Sequence, residues 1–320
     1  MKKRFYLIVL CLVFFYPHTF AQLYPNKTVT LIVPFTVGSG VDVPARIVAE
    51  PLARALGQSF VVENRTGAAG TIATAYVAGS PADGYTLLVN SAAHTLYPSL
   101  YKSLRFDPVK DFVPVVPIAE VPLVLVASPA KGWATLKEMV AYAKSNPGKL
   151  NYGSAGKATT SHISFERLRA SAQITGVHIP FKGTPEAITE VMAGRVDVAY
   201  TTIAAASAGI QANRLIPLAM GGRKRSSSLP QVPTSLESGY PESDYTVWVG
   251  ILAPSNTSAQ IIERLNQETN KVLATPEAKE RLAKAGLEPM SMSVAQFQAA
   301  VRAEFNSNEL LVKAAAILPE

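Results

Sequence analysis

The chain has 320 residues, a formal net charge of +7 and a single cysteine, Cys11. At roughly 150 residues per domain, this length predicts two domains, each large enough to bury its own core. One cysteine excludes an intramolecular disulfide and a metal site built from several thiolates.

Residues 1–21 have the pattern of a secretory signal peptide. A basic start (Met1 to Arg4) is followed by an apolar run (Phe5 to Tyr16) and by a small-residue cleavage context ending at Ala21. A retained membrane anchor is the alternative, but the apolar run is shorter than the ~20 residues that a membrane span needs. We therefore predict cleavage after Ala21 and a periplasmic protein without cysteine, whose formal net charge falls from +7 to +4 because three basic residues are lost.

After the leader, short β-rich runs alternate with helical stretches, as in βαβ units with parallel sheets. The order strand, helix, strand, helix, strand occurs twice. The first set is predicted at Val29–Val33, Asp42–Leu56, Phe60–Glu63, Gly67–Ala78 and Tyr85–Asn90, and the second at Leu150–Gly153, Thr159–Ala172, Gly176–Pro180, Pro185–Ala193 and Arg195–Tyr200. Two such modules predict two lobes with facing loops and a cleft between them.

Two further apolar runs, Pro122–Ser128 and Tyr245–Pro254, lie where the chain would cross between the lobes. They predict a hinge of crossover strands, with lobe 1 formed by residues 22–123 and 246–320 and lobe 2 by residues 124–245. After Pro254 the sequence is helical. Its helix starts are predicted at the capping boxes Thr257–Gln260 and Ser293–Gln296 and at Pro276 behind Thr275.

The first candidate site is the glycine-containing loop Pro34–Asp42, between the first strand and the first helix. Glycines let backbone N–H groups face outward and a helix N-terminus carries partial positive charge, so this loop predicts an anion site. A dinucleotide fingerprint is the alternative, but Val43 occupies its third glycine position and Asp42 would repel a phosphate. We interpret Asp42 as the helix N-cap.

The second candidate site is the equivalent segment of the second module, Tyr152 to His162. Its hydroxyl groups and amides can donate to a carboxylate, and Lys157 can add a charge-assisted bond. We hypothesise that Ser154 and Thr159 are direct donors. An exported hydrolase that uses Ser154 with His162 is the alternative, although the segment lacks a G-x-S-x-G elbow and an evident orienting acid. A capped helix start at Thr159 or Thr160 is compatible with either.

The remaining polar features indicate no further chemistry. His94, His162 and His178 occur singly, without metal-ligand spacing, so local hydrogen bonding is the better interpretation. The basic run Arg223–Arg225 lacks interleaved aromatic residues, which favours a solvated loop over a nucleic-acid site. The sequence therefore predicts neither a metal nor a cofactor.

Seven segments in order along the chain carry a resemblance to a known family. They are Pro34–Arg46, Val62–Gly70, Pro81–Leu88, Phe106–Phe112, Asn146–Tyr152, Ile179–Gly183 and the leader. Together they resemble the substrate-binding proteins of tripartite tricarboxylate transporters, also called TctC or Bug proteins, over essentially the whole mature chain. The family usually has a Pro-Gly-Gly stretch where this chain has Val37-Gly38-Ser39, and a Gly or Asn near Lys157.

The resemblance implies an α/β fold of periplasmic binding protein type II: two doubly wound lobes joined by crossover strands, closing like a Venus flytrap. It implies a solute-binding protein, not an enzyme, that captures a dicarboxylate, an aromatic acid or a similar compound. It also implies delivery to a tripartite tricarboxylate transporter, or loading of a membrane sensor, by a monomer. The expected ligand-binding residues are Phe35, Thr36, Gly38, Ser39, Gly40, Asp42, Ser91, Ala92, His94, Ser154, Ala155, Gly156, Lys157, Thr159, Thr160, Tyr200 and Thr201.

Overall fold

The computed structural model describes residues 24–157 and 159–314. The predicted leader, residues 1–21, lies outside them. The strands are β1 (Val29–Val33), β2 (Phe60–Asn64), β3 (Thr86–Ser91), β4 (Phe112–Val121), β5 (Leu123–Ala127), β6 (Asn151–Ser154), β7 (Val177–Pro180), β8 (Val198–Thr202), β9 (Ile216–Met220), β10 (Val247–Pro254) and β11 (Glu288–Pro289). The helices are α1 (Asp42–Leu56), α2 (Thr71–Ala78), α3 (Tyr97–Leu100), α4 (Leu136–Ser145), α5 (Thr160–Ala172), α6 (Thr184–Met192), α7 (Ile203–Gln211), α8 (Ala259–Ala274), α9 (Pro276–Lys284) and α10 (Val294–Ala314).

The strands form two sheets, which confirms the predicted two-lobed α/β fold. One sheet has the order β11-β4-β10-β3-β1-β2 and the other β7-β6-β8-β5-β9. In the first sheet β1 pairs in parallel with β2 and with β3. In the second sheet β6 pairs in parallel with β7 and with β8. β4 and β5 are separated by Pro122 alone, and β10 returns the chain to the first sheet. The exact lobe boundaries stay a prediction.

The pairing register decides where the loops lie. At the carboxyl end of β3, Ser91 pairs with Val249, close to Val247, where the chain enters the first sheet. At the carboxyl end of β8, Thr202 pairs with Leu123, the first residue after the other crossover. The carboxyl edges of both parallel strand sets therefore lie on the side of the crossovers.

β10 is buried along its whole length and forms the centre of the first sheet. Its Gly250 is required by space, because a Cβ atom there would lie 2.8 Å from Phe297 Cζ on α10 and 2.9 Å from the Val116 carbonyl oxygen. Trp248 packs edge-to-face on Phe297, with 5.2 Å between ring centroids. The C-terminal helix therefore packs directly on the first sheet.

α8 is tied to the same sheet through a buried amide. Asn266 Nδ2 donates to the carbonyl oxygen of Val115 on β4, over 2.8 Å, and to that of Met292, over 3.0 Å. None of the helices in the described ranges is long and apolar enough to cross a membrane.

The predicted helix starts are correct in part. Ser293 Oγ accepts from Gln296 N and Thr275 Oγ1 accepts from Ala278 N, which confirms those two starts. The start predicted at Thr257 is wrong by one residue, because Ser258 is the N-cap and its hydroxyl oxygen accepts from Ile261 N.

The N-cap assignment of Asp42 is also wrong. α1 begins at Asp42 and its N-cap residue is Val41, whose side chain makes no capping hydrogen bond. In the turn before the helix, Ser39 Oγ accepts from Asp42 N over 3.2 Å and the Ser39 carbonyl oxygen accepts from Val43 N over 3.0 Å. The Asp42 carboxylate is thereby available to hold the loop that precedes the helix.

Candidate functional site

The loop after β1 is held by the Asp42 carboxylate. Gly38 adopts a φ of +80°, which favours glycine, and its N–H donates to Asp42 Oδ2 over 2.8 Å. Ser39 N donates to the Thr36 carbonyl oxygen over 3.1 Å, so the loop is a compact turn. Val37, at its tip, is 71 % exposed.

Two further side chains hold the Asp42 carboxylate in place. Arg46 Nε donates to Asp42 Oδ2 over 2.9 Å, and Asn64 Nδ2 donates to Asp42 Oδ1 over 2.8 Å and to the Phe35 carbonyl oxygen over 2.9 Å. Burial alone would raise the pKa of Asp42, but the hydrogen bonds from Arg46, Gly38 and Asn64 outweigh it and hold the pKa below its ordinary value. The carboxylate is therefore ionised, and both of its oxygens accept hydrogen bonds from within the protein.

The loop after β2 packs against the first loop. Gly70 has a φ of +94°, and a Cβ atom there would lie 2.7 Å from the Tyr97 hydroxyl oxygen and 3.0 Å from Pro34 Cβ. The Tyr97 hydroxyl donates to the Ala69 carbonyl oxygen over 3.2 Å. The loops after β1 and β2 thus form one continuous edge of the first lobe.

The loop after β6 is held by its own hydroxyl groups. Ser154 Oγ lies 3.1 Å from Gly156 N and 2.9 Å from the Gly156 carbonyl oxygen. Thr159 Oγ1 donates to the same carbonyl oxygen over 2.7 Å, and Ala155 N donates to Ser161 Oγ over 3.0 Å. The loop leads directly into α5, and the first N–H groups of a helix have no partner within that helix.

The predicted ligand-binding residues separate into two groups by exposure. One group lies on the loop surfaces, half-buried or exposed: Phe35, Thr36, Gly38, Ser39, Gly40, Ala155, Gly156, Lys157, Thr159 and Thr160. The other group is buried beneath them: Asp42, Ser91, Ala92, His94, Ser154, Tyr200 and Thr201. The first group is accessible at the loop surfaces, whereas the second lies beneath the loops and can shape them from behind.

His94 does not lie at a lobe surface, contrary to expectation. Its side chain is 0 % exposed, its Nε2 donates to the Pro108 carbonyl oxygen over 2.9 Å, and its ring packs edge-on against Tyr97 and Phe112. Burial lowers the pKa of His94 to about 4, against the opposing effect of its hydrogen bond. It is a neutral core residue.

Tyr200 is likewise a core residue. It is 1 % exposed, lies opposite Leu125 in the second sheet, and fills the space beside Gly221, where a Cβ atom would come within 3.0 Å of its ring. Burial raises the pKa of its hydroxyl well above the ordinary range. Its neighbour Thr201 is also buried.

The histidines of the second lobe are not scattered. His162 on α5 and His178 on β7 stack face to face, with 3.8 Å between ring centroids and 4° between ring planes. Ser154 Oγ lies 2.6 Å from His178 Nε2. Ser154, for which the hydrolase alternative proposed His162 as partner, is therefore hydrogen-bonded to His178.

Sequence reasoning missed Asn64 and His178 as parts of the site. Asn64 lies opposite Val33 at the carboxyl edge of β2, next to the start of the first loop. His178 lies opposite Tyr152, two residues before Ser154 on the same face of the sheet. A parallel register written out for the predicted βαβ units would have found both, because polar residues at adjacent strand ends meet at one edge.

Within residues 24–157 and 159–314, no three His, Cys, Asp or Glu side chains form a group that could hold a metal ion. The two loops offer amides, hydroxyl groups and the exposed cation Lys157.

The family model described as the tripartite tricarboxylate transporter family receptor (TctC) matches residues 44–317. The protein BugT of Bordetella pertussis is 36 % identical over 274 residues, covering 84 % of this chain and 83 % of BugT. A Pseudomonas sp. (strain P51) protein, from the tcbD-tcbE intergenic region, is 36 % identical over 265 residues, covering 82 % of this chain and 79 % of the other.

Solved structures are similar over nearly the full length. An R. palustris protein solved with adipate is 33 % identical with a TM-score of 0.75, covering 93 % of this chain and 100 % of the other. MatC from Rhodopseudomonas palustris, solved with bound malate, is 30 % identical with a TM-score of 0.71, covering 90 % of this chain and 100 % of MatC. The resemblance seen in the sequence is confirmed: the chain belongs to the tripartite tricarboxylate transporter receptor family.

Proposed function

We propose that this chain is a periplasmic solute-binding protein that captures a small carboxylate between the loop after β1 and the loop after β6. The observation that carries the proposal is the register of β3 and β8, which turns the carboxyl edges of both parallel strand sets toward the two crossovers. Each edge bears a compact loop that ends in a helix N-terminus. Two sets of amides with partial positive charge suit an organic anion.

The energetics fit a ligand of this kind. A hydrogen bond to a charged group contributes ~1.5–3 kcal/mol, so three or four of them supply the ~8 kcal/mol of a micromolar complex after ordering costs. One lobe alone would hold the anion weakly. Closure of the lobes adds the second set of donors and excludes water, which makes the closed form distinct from the open one.

A dicarboxylate is the favoured ligand class. Asp42 is neutralised by Arg46, and burial holds His162 in its neutral form, so the exposed Lys157 ammonium contributes the uncompensated charge of the second loop. A second carboxylate on the ligand would meet that ammonium. The relatives solved with adipate and with malate support this class.

Membership of a transporter receptor family supports delivery of the loaded protein to a tripartite tricarboxylate transporter in the membrane. Loading of a membrane sensor instead would use the same closed form. Uptake of labelled acid by vesicles that contain the transporter subunits, with and without this protein, distinguishes delivery from sensing.

The hydrolase alternative is not favoured. Ser154 is fully buried, and its oxygen is already engaged by His178 and by Gly156, so a substrate carbonyl cannot reach it. Among the described residues, no carboxylate is hydrogen-bonded to His178, whereas a Ser-His-Asp arrangement needs an acid there.

The proposal is tested by thermal-shift measurements on residues 22–320 with adipate, malate, succinate, benzoate and glucose. A bound acid should raise the melting temperature with rising concentration, as linkage requires, and glucose should not. Calorimetry on Lys157→Gln, with Lys144→Gln on the exposed face of α4 as control, tests the second carboxylate. The ligand class is wrong if a monoacid binds as tightly as the diacids, and the function is wrong if every acid leaves the protein unchanged or is consumed.

A further inference from the structure

Four rings form a cluster beneath the second loop. The distance between ring centroids is 4.0 Å for Phe165 and Tyr152, 5.0 Å for Tyr152 and His178, 3.8 Å for His178 and His162, and 6.1 Å for Tyr152 and His162. Two of them come from neighbouring parallel strands and two from α5. The cluster therefore joins the first turn of α5 to the strands that carry the loop.

The position of His178 in the cluster is set by two neighbouring rings and by Ser154 at its edge. Tyr152 lies opposite it in the parallel register of β6 and β7, and His162 covers one face of its ring. Its Nε2 is then directed at Ser154 Oγ, 2.6 Å away. Such a ring has little freedom to turn, so the Nε2 position is a fixed point next to the loop.

The contacts of Ser154 assign the proton on this pair. A hydroxyl group donates one hydrogen and accepts up to two. Ser154 Oγ has three neighbours: His178 Nε2, Gly156 N and the Gly156 carbonyl oxygen. All three bonds are made at once when His178 Nε2–H and Gly156 N–H donate to Oγ and the hydroxyl hydrogen goes to the carbonyl oxygen.

The rings are neutral in this arrangement. Two imidazolium ions stacked face to face would repel each other. Burial lowers the pKa of His162 to about 4, and it lowers the pKa of His178 as well. A neutral His178 with its hydrogen on Nε2 is the form that the bond to Ser154 uses.

We propose that His178 is a positioning residue for ligand capture: through its Nε2–H it orients the Ser154 hydroxyl, which clamps Gly156 and so presents the second loop and the first turn of α5. This inference rests on the proposed carboxylate-binding function. His178 does not touch the ligand; its effect passes through Ser154, which replaces the hypothesis that Ser154 is a direct donor.

The positioning step is tested on the ligand-free protein by hydrogen exchange of a peptide that spans residues 154–161. His178→Phe keeps a stacked ring and removes the donor, so we expect exchange in this peptide to become about tenfold faster, the equivalent of one lost hydrogen bond. Ser154→Ala should give the same increase, and the double variant no further one. Unchanged exchange in both single variants would overturn the proposal.

Two further variants separate positioning from general stability. Gln places an amide nitrogen as many bonds from Cα as His178 Nε2, so His178→Gln should restore slow exchange. Tyr152→Phe keeps the ring beside His178 and removes only the hydroxyl that donates to Glu166. It should lower the melting temperature without accelerating exchange in residues 154–161. Equal acceleration by Tyr152→Phe, or no rescue by Gln, would show a merely structural role.

The consequence for capture is measured with adipate by calorimetry. His178→Phe should weaken adipate binding about tenfold, mainly through faster dissociation, and His178→Gln should bind like the wild type. If the wild type and His178→Phe bind adipate with equal affinity, the role of His178 in ligand capture is contradicted, but its role in positioning the loop is not. If the wild type binds neither adipate nor any acid of the panel, the proposed function fails, whereas the exchange result still decides whether His178 positions the loop.

Discussion

Arg167 on α5 and Asn308 on α10 are joined by a hydrogen bond of 2.9 Å between Nη2 and Oδ1. Nη2 also donates to Ser307 Oγ over 2.8 Å, and Nη1 donates to the carbonyl oxygen of Asp244 over 3.3 Å. Arg167 thus ties the helix that begins at the second loop to the C-terminal helix and to the segment before β10. This link joins a helix that packs on the second sheet to a helix that packs on the first.

The Arg167 link should contribute measurably to stability. Arg167→Met keeps most of the apolar stem and removes the donors, leaving the Asn308 oxygen unpaired, so the free energy of unfolding should fall by ~2 kcal/mol. Urea unfolding measures this. Arg302→Met, at an exposed position of α10, is the matched control and should have little effect. Equal losses in both variants would contradict a specific link.

Glu304, on the same helix, should make stability fall as the pH rises. Burial raises its pKa to about 7 from 4.5, against hydrogen bonds from Trp248 and Thr95 that lower it. A raised folded-state pKa gives stability that is complete below pH 4.5 and is lost as the pH rises through 7.

Glu304→Gln should remove this pH dependence. The variant should match the wild type near pH 4.5 and exceed its free energy of unfolding at pH 8 by on the order of 3 kcal/mol, because one pKa unit corresponds to ~1.4 kcal/mol. Urea titrations at both pH values measure the difference. A wild type that is as stable as the variant at pH 8 would disprove the assignment.

The stacked histidines should titrate below the range of ordinary histidines. Burial, and then the neighbouring His178, lower the pKa of His162 to about 4, while Glu166 opposes and Lys157 and Arg169 add to the lowering. A lowered folded-state pKa means that stability is complete above pH 6.5 and decreases as the pH falls toward 4. NMR titration of the ring protons, with urea-unfolded protein as reference, checks this; a midpoint at or above 6.5 would contradict a neutral stack.

Asp42 should matter for the first loop although it does not face the ligand. Asp42→Asn weakens the bonds to Arg46 and Gly38, so we expect adipate to bind about tenfold more weakly, the loss of roughly one charge-assisted bond. A purely electrostatic effect predicts tighter binding, because a negative charge is removed. Calorimetry with adipate distinguishes weaker binding, caused by a loosened loop, from tighter binding, caused by the removed charge. Asp83→Asn, at an exposed ion pair of the same lobe, is the control.

Much of the fold could be predicted from local patterns. The helix predicted over Asp42–Leu56 has those bounds, and the strands predicted from Val29, Phe60 and Leu150 were found within one residue of their expected starts. These elements depend on hydrophobic periodicity and on residues that end helices, such as Gly57, which caps the end of α1 with a φ of +68°. Helix caps were less certain, because several hydroxyl residues precede each helix and only the final turn geometry selects one.

The roles of individual polar residues could not be predicted in the same way. Ser154 and His178 are 24 residues apart, and their contact depends on the register of β6 against β7 and on the side-chain alternation of two strands. A shift of one residue in that register would turn His178 to the opposite face of the sheet. Likewise, the role of Asp42 depends on tertiary structure, because its partner Asn64 lies on the neighbouring strand β2 and donates to the buried carboxylate.

The amino-acid order alone determined two α/β modules and two glycine-containing loops, because periodicity and glycine placement are local properties. The tertiary structure decided which side chains lie on those loops and which lie beneath them, as for the buried His94 and Tyr200. Burial and hydrogen-bond partners depend on segments distant in the chain, and no local pattern records how those segments meet.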